Sequence, residues 1–78
     1  MAGVVVDRRI LFRAALLLGA TSVIVAQNHA SGDCTPSQED RALTQQLVAA
    51  GRMLDLQVHD HVILGRDVYS FAERGELR

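Results

Sequence analysis

The sequence predicts a small α/β (α+β) domain on three observations. Residues 38–54 carry apolar side chains at helical spacing, Ser22 to Ala26 is a β-branched run suited to a strand and Leu56 to Leu64 reads as another, and a polar loop joins the first strand to the long helix. The expected order is helix, strand, loop, helix, β hairpin in one layer pair. A chain of 78 residues makes one domain at most, and at this size roughly 60 to 65 % of the unfolded surface is buried on folding, so stability is marginal. A hydrophobic content of 49 % with 22 % charged residues fits a folded chain rather than a disordered one.

The elements follow in order. Met1 to Val6 includes three successive valines and favours extended backbone, with Asp7 as a cap for a helix over Arg8 to Leu18. On that helix Ile10, Ala14, Leu17 and Leu18 form the expected apolar face, and Gly19 the C-terminal cap. So much of this helix is apolar that it needs cover on more than one side. Ser37 is the expected N-cap of the second helix, with Asp40 at the third helical position in a variant of the capping box. Leu43, Leu47, Ala50 and Leu54 give that helix its apolar face. Gly65 to Asp67 reads as a tight turn, Val68 to Phe71 as a returning strand, and Ala72 to Arg78 as a helical turn.

Charge and composition exclude several classes. A net charge of −1, with eight Arg and no Lys, carries no clustered basic footprint for nucleic acid, and Arg9 and Arg13 read as a solvent-facing helix side. One cysteine, Cys34, cannot close an intramolecular disulfide, which fits a reducing, cytoplasmic setting. The apolar run Ala14 to Ala26, preceded by Arg8, Arg9 and Arg13, also has the outline of a secretory leader, which would place the mature start after Ala26. Its thirteen residues are short of the ~20 that span a bilayer.

The polar chemistry is concentrated between Ala26 and Asp40, where Gln27, His29, Asp33, Cys34, Ser37 and Asp40 fall together at the end of a strand. Taken alone, one His and one Asp are a weak metal signal. The plain reading is a loop His and a helix-capping Asp, with Asp33 a turn-former and Cys34 an inert small residue, the alternative being a thiolate lent to a metal. His59 and His61 alternate on a strand as a second His-x-His, with His59 read as a surface residue.

The run Asn28-His29-Ala30-Ser31-Gly32-Asp33, followed by Thr35-Pro36-Ser37 and Glu39-Asp40, resembles the metal loop of the RadC family, His-Asn-His-Pro-Ser-Gly-Asp-Pro-Thr-Pro-Ser-x-x-Asp. The preceding Arg9-Ile10-Leu11-Phe12-Arg13-Ala14-Ala15-Leu16 and the later Leu43-Thr44, Ala50-Gly51-Arg52, Asp60-His61-Val62-Ile63 and Tyr69-Ser70-Phe71 are similar to that family as well. RadC proteins resemble the JAMM (MPN/JAB-type) zinc metallopeptidases, whose motif is an upstream Glu, then His-x-His, seven residues, Ser, two residues and Asp. The resemblance implies His29 and Asp40 as zinc ligands, Gln27 at the position of the first His, and Ser37 as the catalytic residue that hydrogen-bonds the oxyanion. The spacing from His29 through Ser37 to Asp40 matches, whereas the three Glu, at 39, 73 and 76, all lie downstream of His29.

Gln27 offers a neutral amide where the family has an imidazole, a poor ligand for zinc. A positioned acid/base is typically worth ~10² to 10⁴ in rate. The expectation is therefore a partial RadC/MPN domain lacking its N-terminal strands, with zinc held weakly or not at all, and peptide or isopeptide hydrolysis impaired. The family carries a DNA repair label. The alternative is a non-catalytic module that keeps the MPN fold and offers a sheet edge to a protein, a peptide or a second copy, with no membrane partner.

Overall fold

The computed structural model describes residues 8–77. Among these, α1 (Arg8–Leu17), β1 (Ser22–Asn28), α2 (Gln38–Met53), β2 (Gln57–Leu64) and β3 (Val68–Ser70) follow in the expected order. The sheet has order β1-β2-β3, with β1 parallel to β2 and β3 antiparallel to it. Parallel neighbours need a crossover, which α2 supplies, while the antiparallel pair is closed by the turn at residues 65–67. The fold is α+β. The extended stretch at residues 1–6 and the Asp7 cap lie outside the described residues.

Helix α2 starts as its sequence dictates. Asp40 N donates to Ser37 Oγ at 3.1 Å and Ser37 N donates to Asp40 Oδ2 at 2.8 Å, a complete capping box. At its far end Leu56 N donates to Gly51 O at 2.7 Å. A Cβ at residue 51 would stand 2.4 Å from Leu56 O, so only glycine lets the returning chain lie this close. Strand β1 runs two residues beyond the expected end, to Asn28, because β2 continues to offer ladder partners and His29 N still donates to Leu64 O at 3.0 Å.

The register between β1 and β2 slips once. Val23 pairs with Val58 but Ile24 pairs with Asp60, leaving His59 as an extra residue on β2. The bulge reverses the alternation: Val58 is buried, His59 is exposed, and His61 and Ile63 are buried. The core face of the sheet therefore carries Val23, Val25 and Val58 at one end, and Gln27, His61 and Ile63 toward the C-terminal ends of the parallel strands.

The core joins Phe12 and Ala15 of α1, Val25 of β1, Leu47 of α2, Leu56 and Val58. Two sequence expectations are corrected here. The apolar face assigned to α1 is not the one that packs: Ile10, Leu17 and Leu18 are 52, 81 and 84 % exposed while Phe12 and Ala15 are buried. The helix ends at Leu17, where Ala20 N donates to Ala15 O at 2.9 Å, and packing with Val25 and Leu47 puts the Phe12 side inward. Leu54 is exposed because it is the C-cap, where the helix has already unwound. The tail forms a single helical-type turn, as expected but starting earlier, with Arg74 N donating to Ser70 O at 3.3 Å and the turn closed by Gly75 N to Ala72 O and Glu76 N to Phe71 O. Glu76 accepts hydrogen bonds from Tyr69 Oη and Arg41 Nη1, which fastens this turn to α2.

Truncating Leu47 to Ala is expected to cost about 2–4 kcal/mol, as for a fully buried aliphatic side chain. Leu17→Ala should stay within ~0.5 kcal/mol. Thermal unfolding of the two variants checks this, and comparable losses would contradict the core described here.

Candidate functional site

The site lies where β1 runs out over the start of α2. Gln27 is the last core-facing residue of β1, His29 is the next residue of that parity beyond the strand, and Asp40 is in the first turn of α2. The loop between them is pinned at both ends. Asp33 Oδ1 accepts from Thr35 N at 3.0 Å and from Thr35 Oγ1 at 2.7 Å, an Asx turn, as its reading as a turn-former anticipated. Arg66 N donates to Gly32 O at 2.7 Å, and a Cβ at Gly65 would lie 2.4 Å from that oxygen, so the loop sits directly on the β2–β3 turn.

This frame brings the motif residues together. His29 Nδ1 donates to the Asp33 carbonyl at 2.8 Å, which turns Nε2 toward Asp40, and Nε2 lies 3.1 Å from Asp40 Oδ2. An imidazole held by a backbone carbonyl in this way is oriented as metal-ligating histidines are. Gln27 Nε2 donates to Asp40 Oδ1 at 2.7 Å and stands 3.4 Å from His29 Nε2. Ser37 caps α2 through its Oγ, one turn from the Asp40 carboxylate. Cys34 is half-buried and has a free thiol.

The buried flank of the site is a feature that sequence reasoning did not assign. His61 is fully buried, stacked on Phe71 with ring centroids 4.8 Å apart. Its Nε2 lies 2.6 Å from Gln27 Oε1 and its Nδ1 lies 2.6 Å from Thr44 Oγ1. The Asp60-His61 pair marked the position, but only the bulge at His59 shows why His61, rather than its neighbour, faces inward.

Electrostatics follow from these partners. Burial opposes ionisation of Asp40, but hydrogen bonds from Ser37 N, Gln27 and Ser37 Oγ, together with nearby His29, outweigh it and hold the carboxyl below its usual range. Burial likewise pushes the His61 imidazole down, against the opposing pull of Asp40 and Asp60, so it is neutral at pH 7.

The donor set can be tested against zinc. His29 Nε2 and Asp40 Oδ2, 3.1 Å apart, match the edge of about 3.3 Å in a tetrahedron with ordinary zinc bonds. The third corner does not match: Gln27 presents its NH2 to Asp40, a donor where a ligand lone pair is needed. Among the described residues no group of three or more His, Cys, Asp or Glu is placed to hold a metal ion. As arranged, the residues do not fit a hydrolytic zinc centre.

A pH series of unfolding midpoints should fall in two stages. For His61, depressed from 6.5, the unfolded chain takes up a proton that the folded chain refuses, so stability drops as pH falls below that value. For Asp40, depressed from 3.8, the folded state favours the ionised form, and its contribution is lost as pH falls through that value and below. His61→Phe should remove the first stage; a first stage of unchanged size in that variant would contradict the assignment.

Comparison with known proteins identifies the family. A model of the RadC-like JAB domain matches residues 1–76. The UPF0758 protein YfjY of Escherichia coli K12 is 51 % identical over 73 residues, covering 92 % of this chain and 46 % of that protein. UPF0758 proteins of Symbiobacterium thermophilum and Thermotoga maritima are 49 % and 51 % identical, with 31 % and 32 % of their lengths covered. The chain thus spans less than half the length of these curated relatives. It belongs to the RadC-like JAB domain family.

Proposed function

We propose that this chain is a JAMM-type zinc metallopeptidase-like domain in which hydrolysis of peptide or isopeptide bonds is impaired. His29 and Asp40 are the remaining ligand positions and Ser37 the remaining oxyanion partner. The observation that carries the reading is the 2.7 Å hydrogen bond from Gln27 Nε2 to Asp40 Oδ1. It engages one ligand position with an amide donor and leaves the first-His position without a lone pair directed at the centre. Two strong ligands hold a cation weakly, and no step of hydrolysis can be assigned to these residues alone.

A second reading, a protein-interaction module, is favoured by one feature of the sheet. Among the described residues β1 pairs on one side only, with β2, and Ile24 on it is 60 % exposed. An open strand edge of this kind accepts an added strand from a peptide or a second copy.

Zinc titration tests the first reading. The chain should bind zinc weakly and release no product from peptide or isopeptide substrates in its presence. Gln27→His, which restores the imidazole, should tighten zinc binding by at least about tenfold, and His29→Ala in that background should abolish the gain. Tight stoichiometric binding by the parent chain that depends on His29, with turnover, would contradict the reading.

A further inference from the structure

His61 and Thr44 are 0 and 1 % exposed, so no bulk water can replace a partner that either of them lacks. A neutral imidazole donates from one nitrogen and accepts at the other. The Gln27 amide fixes which is which. Its NH2 is directed at Asp40, 2.7 Å away, so Oε1 is what it presents to His61. His61 must then donate from Nε2 and accept at Nδ1, so of the two acceptors within reach of the Thr44 hydroxyl, His61 Nδ1 at 2.6 Å and the Asp40 carbonyl at 3.0 Å, the nearer takes its proton. The result is a relay with one direction, Thr44 to His61 to Gln27 to Asp40, each member donating to the next.

Reversal is concerted. Turning the amide would place NH2 against His61 Nε2, shift the ring proton to Nδ1, and make Thr44 an acceptor whose hydroxyl donates to the Asp40 carbonyl, 3.0 Å away. It would also set the Gln27 oxygen against the Asp40 carboxylate, a repulsion that an intervening cation would relieve. The direction of the relay and the occupancy of the centre are therefore coupled.

We propose that His61, held by Thr44, is a positioning residue that, together with Asp40, keeps the Gln27 amide with its NH2 toward the centre and makes the centre a seat for an amide donor in place of a divalent cation. The inference rests on the reading of an impaired centre and names the residue that keeps it so. It adds to that reading a device: the NH2 group, with one proton on Asp40 and the other facing His29 Nε2 at 3.4 Å, bridges the two ligand positions.

The test is histidine tautomer analysis on the whole 15N-labelled chain by long-range proton–nitrogen correlation. His61 should be the Nε2–H tautomer, with the Gln27 side-chain NH2 protons protected from exchange. The Nδ1–H tautomer would overturn the proposal. Cobalt titration of His61→Phe, which keeps the stack on Phe71 but cannot hold the amide, should give affinity about tenfold or more above the parent. Equal or weaker affinity in a folded variant would overturn it. If His61→Phe does not fold, the tautomer of the parent chain decides. Zinc-dependent turnover by the parent would sink the impaired-centre reading without bearing on the tautomer, so the two failures are separable.

Discussion

One amide joins three elements of this domain. Gln27, at the end of β1, accepts from His61 on β2 and donates to Asp40 on α2. Each partner is buried, and an unpaired buried donor or acceptor costs ~1–3 kcal/mol, so the three side chains constrain one another's positions. The apolar core formed by Phe12, Val25, Leu47 and Val58 sets the distance between sheet and helix; the amide sets their register at the polar end. No buried side-chain polar atom among the described residues is left without a partner, which shows how closed the cluster is.

The position of the cluster follows from the topology. Parallel strands end on the same side, and the crossover helix begins there, so residues at the end of β1 meet the first turn of α2. Asp40 serves two purposes at that point. Its carboxylate completes the capping box with Ser37 and also accepts from Gln27, with His29 Nε2 3.1 Å away. The same hydrogen bonds that start the helix keep the carboxylate ionised, so the local structure of the helix and the electrostatics of the site have one origin.

Much of this was legible in the residues. The capping box at Ser37 and Asp40, the helical spacing through Leu47, and the loop motif from His29 to Asp40 are local signals, set by neighbours within a few positions. What was not legible depends on distant contacts. The register slip at His59 is a property of the pairing between β1 and β2, and it alone decides that His61 rather than His59 faces the core. The buried face of α1 could not be read from spacing, because that helix is apolar on several sides and only its packing with Val25 and Leu47 selects Phe12 and Ala15. Gln27 was recognised as a departure from the family's first His, but its hydrogen bond to a buried histidine 34 residues away leaves no trace in local sequence.

A donor amide where a ligand is expected gives the site its character, and the orientation of that amide is directly observable. Crystals grown with zinc and measured across the zinc absorption edge would show it. No strong anomalous peak is expected between His29 and Asp40, and an amide nitrogen is expected within hydrogen-bonding distance of the Asp40 carboxylate. A strong peak bonded to His29 Nε2, Asp40 and the Gln27 oxygen would contradict that expectation.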